Sequence, residues 1–282
     1  MFAVILAVIA ALAYGSSDFV AGVASRRMHY ARVAVLGQLT ASVVTVTASL
    51  VVGGHPSTAA IGWGAVGGIG GALGTLALYR GLARGRISVV APLSGVVAAG
   101  VPALVGLVLG ERPTVVAGVG LLLALPAVWL VSTSAAPEQD QARTSGVLDG
   151  VLAGLGFALL FVALQRAGDG VGLWPTAVEQ VVSIVPVAAL YLVVRARTTD
   201  RERWTVRTAA GPAMAGALGA VAVVFYFLAT HFGMLTVVAV LTSLYPAATI
   251  ALARFVLAER ISRWQGAGLV LAGVAVALIT AG

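Results

Sequence analysis

The 282-residue sequence has no cysteine and no lysine, and only 10% of its residues are charged. The absence of cysteine excludes disulfide bonds and thiol chemistry. The low charge content excludes an ordinary soluble domain, in which about a quarter of the residues are charged. By contrast, 60% of the residues are hydrophobic and the mean hydropathy is +1.04. The composition therefore predicts an integral membrane protein.

The hydrophobic residues form runs of about 20, the length at which a helix crosses a hydrocarbon core of about 30 Å. The alternating pattern of barrel strands is not visible, and in lipid only helices or closed barrels satisfy the backbone. We therefore predict an all-α integral membrane protein with ten transmembrane helices. Their approximate bounds are Phe2–Ala24, Val33–Val52, Ala59–Leu82, Ile87–Leu109, Thr114–Val131, Gly146–Gln165, Leu173–Val194, Thr208–Thr230, Met234–Ala258 and Arg263–Ala281.

An internal repeat relates the two halves of the chain. The stretch Gly85–Leu130 reappears without gaps as Gly233–Leu278, 148 residues later. Chance matching of Ala, Val and Leu does not explain why a Glu-Arg pair and a following Gly-x-Gly fall in register in both copies. A fixed period of this kind indicates two related structural units. The superposed pairs are Glu111-Arg112 and Glu259-Arg260.

The only Pro- and acid-containing polar linker separates the two halves. We predict a first repeat of five spans over 1–132, a polar linker over 133–145, and a second repeat of five spans over 146–282. Because five is an odd number, the second repeat must enter the membrane from the side opposite to the first. The sequence therefore predicts two inverted five-helix repeats, an arrangement typical of alternating-access transporters.

The arginines, which carry the whole net charge of +7, are unevenly distributed among the loops. In each pair of matching loops, the odd-numbered loop holds more arginine than its even-numbered counterpart. The seventh loop, Arg195–Arg207, holds five, whereas the second loop holds none. Arginine-rich short loops stay on the cytoplasmic side. We therefore predict that the odd loops are cytoplasmic and that both termini face out.

Several short segments resemble one known family over nearly the whole chain. With the five-plus-five spans, they make the sequence similar to the EamA-type transporters of the drug/metabolite transporter superfamily. The resemblance implies secondary transport of small metabolites or drug-like compounds through a central cavity. The segments are Gly15-Ser16-Ser17-Asp18-Phe19, Ala91-Pro92-Leu93-Ser94 and Gly110-Glu111-Arg112, with Ser243-Leu244-Tyr245-Pro246 and Ala258-Glu259-Arg260 in the second copy.

Two acids, Asp18 and Glu179, stand well inside predicted spans. A charged group at the bilayer centre costs about 2.5–3.5 kcal/mol or more, so such residues are functional candidates by default. The alternative for Asp18 is a structural carboxylate paired with Arg26 or with another helix. The resemblance supports Glu179, because small multidrug-resistance relatives of the superfamily carry a membrane-embedded glutamate in the corresponding span. We expect Glu179 to be the main substrate or coupling-ion group.

Polar residues inside the spans are further candidates for lining a cavity, although Ser and Thr also bond to their own helices. These candidates are Gln38, Ser94, Gln180, Tyr226, Thr242 and Tyr245, together with Tyr14 and Ser243. The residues Pro92, Gly95, Pro102 and Pro246 are candidate helix breaks near the midplane.

The remaining charged residues of the spans and turns are interpreted as structural. We expect Arg80 and Arg254 to reach the membrane surface along their apolar stems. We expect Glu111, Arg112, Glu259 and Arg260 to form turns, in which each glutamate accepts from the free N–H groups of the next helix. His231 stands near a helix end, and we assign it no metal role.

The sequence favours a secondary active transporter, exporter or exchanger, over other membrane proteins. A phosphate-binding loop is absent, which argues against ATP drive. Paired acids or a nucleophile with its base are not found, so an integral membrane enzyme is the weaker alternative. A uniporter or channel-like facilitator stays open. We expect the lipid bilayer and a small-molecule substrate as partners, protons as the candidate coupling ion, a monomer or homodimer in the cytoplasmic membrane, and no nucleic acid, metal or cofactor.

Overall fold

The computed structural model describes residues 1–83, 87–132, 143–197, 205–258 and 260–282. Residues 133–142 of the predicted linker, and Glu259, lie outside the described residues. The described chain is helical throughout. Its helices are α1 (Phe2–Ser25), α2 (Tyr30–Val52), α3 (Thr58–Ala83), α4 (Ile87–Val108), α5 (Val115–Ser132), α6 (Arg143–Gln165), α7 (Trp174–Arg197), α8 (Val206–Phe232), α9 (Leu235–Thr242), α10 (Tyr245–Val256) and α11 (Arg263–Ala281).

Ten membrane spans result, as the sequence predicts, because α9 and α10 together form the ninth. The predicted ninth helix is continuous, whereas the observed one is interrupted by a turn at Ser243 and Leu244. Tyr245 and Pro246 open α10, where a proline is tolerated because the first N–H groups of a helix have no partner inside it. Of the candidate breaks, Pro92, Gly95 and Pro102 stay inside the unbroken helix α4.

The even-numbered loops and the termini meet at one end of the molecule, here called the termini face. Trp174 Nε1 donates to Gly54 O at 3.3 Å, which joins the sixth loop to the second. The rings of Phe2 and Phe232 lie 4.9 Å apart. The opposite end, here called the arginine face, carries the odd-numbered loops. Because the repeat relates the second loop to the seventh, the two repeats have opposite orientations.

The helices of the two repeats are interleaved in two bundles. The α3 bundle consists of α3, α4, α6 and α7, and the α1 bundle consists of α1, α2, α8, α9 and α10. Small residues allow this packing, since lipid supplies no hydrophobic drive between helices. A Cβ added to Gly156 of α6 would lie 2.5 Å from Gly74 N of α3. The pair α5 and α11 packs beside the bundles.

The buried core lies at the termini face. All eight residues of α9 are buried, whereas none of α10 is. In α1 the buried residues run from Ala3 to Gly15, and none follows in the half that leads to the arginine face. The molecule is therefore closed at the termini face and open at the arginine face.

Candidate functional site

Glu179 is a buried carboxyl on the first half of α7, with only 4% of the residue exposed. Glycines of α3 make room for it: a Cβ on Gly67 would lie 3.6 Å from Glu179 Cγ, and one on Gly71 would lie 3.5 Å from Oε1. Glu179 Oε2 is buried and has no hydrogen-bond partner among the described residues. Since buried polar atoms are nearly always bonded, this oxygen has an unused capacity for a proton or a ligand.

Ser183 fixes the position of Glu179 against α3. Its hydroxyl lies 2.9 Å from Glu179 O and 3.0 Å from Gly68 O, and 3.4 Å from Glu179 Oε1. One side chain thus ties the α7 backbone to the α3 backbone one turn beyond the glutamate. Sequence reasoning missed Ser183, although its position four residues after Glu179 places it on the same helix face.

Three more buried hydroxyl oxygens without partners lie near the centre of the described helices, on Tyr14, Thr242 and Ser243. Thr242 and Ser243 stand at the interruption between α9 and α10. Pro246 lacks an N–H group, so it cannot bond to the carbonyl of Thr242 as a helical residue would. Broken helices with free polar groups are where transporters bind substrates and ions. The rings of Tyr14 and Tyr245 lie 6.1 Å apart and connect α1 to this interruption.

Tyr14 links the groups of the interior. Glu179, Asp18, Tyr226 and Tyr245 all lie within electrostatic range of its hydroxyl. The structure therefore brings the two acids predicted from the sequence into one central region, with a tyrosine between them. Both belong to different repeats, which is why no short sequence motif contains them.

Asp18 faces the open space inside the molecule. On α1, Gly15 packs against α10, since a Cβ there would lie 2.6 Å from Ala248 Cβ. Ser17 Oγ donates to Ala215 O of α8 at 2.8 Å. Successive residues are about 100° apart around a helix, so Asp18 points between α8 and α10. Asp18 is exposed, and its carboxylate has no hydrogen bond or ion pair among the described residues.

The interior thus consists of a vestibule and a closed end. The vestibule lies beside the half of α1 that contains Asp18 and Gly22, where an added Cβ would meet nothing within 4 Å. It leads from the arginine face toward Tyr14 and Tyr245. Glu179 lies deeper, in the buried part of the α3 bundle.

Four of the predicted cavity residues are instead engaged in packing. Gln38 Nε2 lies 2.5 Å from Gln180 Oε1 and 2.8 Å from Gln180 O, which joins α2 to α7. Ser94 Oγ donates to Ala91 O of its own helix at 3.0 Å. Tyr226 donates to Phe161 O at 2.9 Å and stacks on the Phe161 ring. These contacts hold helices together and leave the unpartnered groups as the candidate site.

Glu111 accepts backbone hydrogen bonds, as expected, but from a different helix. Its Oε1 accepts from Leu235 N at 2.6 Å and its Oε2 from Thr236 N at 2.8 Å, so it caps α9. The expectation that it caps the next helix, α5, is wrong: Thr114 caps α5, accepting from Ala117 N at 3.1 Å. The nearest sequence position was not the nearest helix end in space. Arg112 and Arg260 are exposed at their turns.

A third acid lies inside a span and was missed. Asp149 of α6 has a side chain only 1% exposed, and its Oδ1 lies 2.6 Å from Arg80 Nη2. Arg80 is therefore half-buried in an ion pair rather than simply extended to the surface. Arg254, in the last turn of α10, is exposed.

A groove of about 760 Å³ lies apart from both acids. It runs between α3 and α6 past Leu73, Leu155 and Gly156, with Tyr30 and Arg80 at one end. Because Leu73 and Leu155 are among the exposed side chains of their helices, this groove faces outward, toward lipid, and is not the interior site.

The fold and this interior define the chain as a multi-pass membrane protein built of two inverted repeats around polar groups. The chain belongs to the EamA-like transporter family, whose model matches residues 1–133 and again residues 144–281. It is also similar to a solved crystal structure of a protein, with 19% sequence identity and a TM-score of 0.71 over 99% of this chain and 96% of the other. This likeness shows the fold. No curated protein matches the chain in sequence.

Proposed function

We propose that the protein is a secondary active transporter, an exporter or exchanger, that moves small metabolites or drug-like compounds across the cytoplasmic membrane by alternating access. Membership of a transporter family supports the general class. The observation that carries the mechanism is the buried, unpartnered oxygen Glu179 Oε2, beside a vestibule that is open at one face only.

Glu179 is the proposed coupling group. A low-dielectric surrounding disfavours the charged form of a carboxyl group, so a proton and a substrate group can exchange at this site. Release of the proton on one side and its uptake on the other would link transport to the proton gradient. Asp18 is the proposed entry group, because its carboxylate is exposed to the vestibule on the path toward Tyr14.

The arrangement in the membrane is part of the proposal. The arginine face is placed in the cytoplasm by the positive-inside rule. The repeats are bounded at 1–132 and 146–282, with 133–145 as the linker. The functional unit is a monomer or a homodimer.

Transport by purified protein in proteoliposomes tests this proposal. A screen of metabolites and drug-like compounds for ligands that raise the melting temperature supplies the substrate. The proposal expects saturable uptake with counterflow, and no unitary current in single-channel recording. Unitary currents would establish a channel-like facilitator. Saturable uptake that never exceeds the substrate gradient at any pH gradient would establish a uniporter.

A further inference from the structure

One contact joins the two bundles at the termini face, between the end of α4 and the start of α9. Both carboxylate oxygens of Glu111 are used, since they accept from Leu235 N and Thr236 N. The Thr236 hydroxyl donates to Ala103 O of α4 at 3.1 Å. A carboxylate on the first N–H groups of a helix satisfies orphan donors and suits the positive end of the helix dipole. This set of contacts is called the α4–α9 joint below.

The joint depends on a glycine. A Cβ added to Gly106 would collide with Glu111 Oε2 and Thr236 Oγ1, and it would lie 2.9 Å from Glu111 Cδ. The carboxylate of Glu111 is therefore folded back over the α4 backbone at a position where only glycine leaves room. Any side chain at this position would displace the cap.

The joint crosses the boundary between two moving parts. Glu111, Gly106 and Ala103 belong to the α3 bundle, whereas α9 belongs to the α1 bundle. At the arginine face the second half of the same span, α10, packs instead on α1, α5 and α11. Opening the termini face requires the bundles to separate there, which requires the joint to break.

The repeat shows that the two faces are not equivalent. A shift of 148 residues places Glu111 on Glu259, Ala103 on Ala251 and Thr236 on Ser88. The same shift places Gly106 on Arg254, the longest side chain where the joint needs none. A joint of the same kind therefore cannot form at the arginine face.

We propose that the α4–α9 joint is a latch that holds the termini face closed, and that the exchange of Gly106 for Arg254 between repeats makes the form open at the arginine face the resting state. This rests on the alternating access proposed above. In that cycle Glu111 is a positioning residue: it sets which face is open and does not touch substrate.

The natural absence of cysteine allows a test by thiol labelling without substrate. Gly22→Cys reports on the vestibule. Ala99→Cys reports on the termini face, because Ala99 is fully buried and lies one turn from Ala103 on α4. Each is labelled with a membrane-impermeant maleimide in right-side-out and inside-out vesicles. His55→Cys and Arg27→Cys, both at exposed loop positions on opposite faces, identify the sides.

In the wild-type background we expect Gly22→Cys to react from the arginine face and Ala99→Cys to be protected. Glu111→Ala, and separately Gly106→Ala, should raise the Ala99→Cys rate on the order of tenfold, as expected when a charged cap is lost from one state only. They should lower the Gly22→Cys rate at the same time. Arg112→Gln, which removes the neighbouring exposed charge but keeps the cap, should change neither rate.

The opposite movement of the two rates separates a latch from a merely structural cap. Rates that rise together, or that do not change, would overturn the latch. If a variant does not fold, Thr236→Val removes only the bond to Ala103 O and should give the same pair of changes at smaller size. Simultaneous labelling of both cysteines from both faces in the wild type would instead contradict alternating access itself.

Discussion

Arg80 of α3 binds Asp149 of α6 with two donors on one oxygen: Nη2 lies 2.6 Å and Nε 2.8 Å from Oδ1. The two partners differ in burial, since the side chain of Arg80 is 48% exposed and that of Asp149 only 1%. Loss of the arginine therefore leaves a carboxylate in the interior, whereas loss of the carboxylate leaves an arginine that reaches water. The pair joins the two repeats inside the α3 bundle.

The two single variants should consequently differ in stability. We expect Arg80→Leu to lower the free energy of unfolding by about 3 kcal/mol, because it leaves a buried charge unpaired. Asp149→Leu should cost about 1 kcal/mol or less, since its partner stays half exposed. Thermal unfolding in detergent measures both. The double variant should recover most of the loss of Arg80→Leu, and equal losses in the two single variants would contradict this interpretation.

Glycines of α3 differ in what they do for Glu179. A Cβ on Gly68 would lie 2.6 Å from Glu179 O and 2.9 Å from Val182 Cβ, whereas one on Gly71 meets nothing closer than 3.4 Å. Gly68→Ala should therefore push α3 away from α7 and cost on the order of 1–3 kcal/mol. Gly71→Ala is the matched control and should be tolerated. Melting temperatures compare them, and a larger loss for Gly71→Ala would show that the packing differs.

The orientation in the membrane follows from the arginine count. We expect a reporter fused after Gly282 and one inserted in the loop 195–207 to lie on opposite sides, with the loop inside. Activity of a cytoplasm-specific and of an external reporter measures this. A loop 195–207 outside the cell would reverse the assignment of the arginine face.

The number of spans was predictable because run length and composition determine whether a helix crosses a membrane. The interruption at Ser243 was not, although Pro246 was a candidate. Pro92 and Pro102 have the same local chemistry and stay within an unbroken α4. Whether a proline ends a helix depends on whether neighbouring groups satisfy the freed backbone, and that information is tertiary.

The site was predictable only as a set of candidates. Scarcity of charge identified Asp18 and Glu179, because an isolated acid in a span is costly wherever it lies. The pairing of Gln38 with Gln180 and the cap from Glu111 to α9 join residues more than 100 positions apart. Hydrophobic periodicity does not encode such contacts, and Asp149 escaped notice because it stands one turn inside its span.

Asp18 should be important for transport and unimportant for stability. Its carboxylate is exposed and makes no bond among the described residues, so Asp18→Asn should leave the melting temperature unchanged. We expect a raised KM for uptake with a smaller effect than Glu179→Gln on accumulation. Ser16→Ala, one turn away on the outer side of α1 and bonded only to Leu12 O, is the control. A large loss of stability in Asp18→Asn would instead assign Asp18 a structural role.

The central claim is that Glu179 couples transport to a proton gradient. Glu179→Gln keeps the size of the side chain and mimics its protonated form. The direct measurement is the accumulation of the screened substrate in proteoliposomes under an imposed pH gradient, beside counterflow in the same vesicles. We predict that Glu179→Gln abolishes uphill accumulation and retains counterflow or binding at least in part. Uphill accumulation by Glu179→Gln at the normal rate and with the normal pH dependence would contradict the claim.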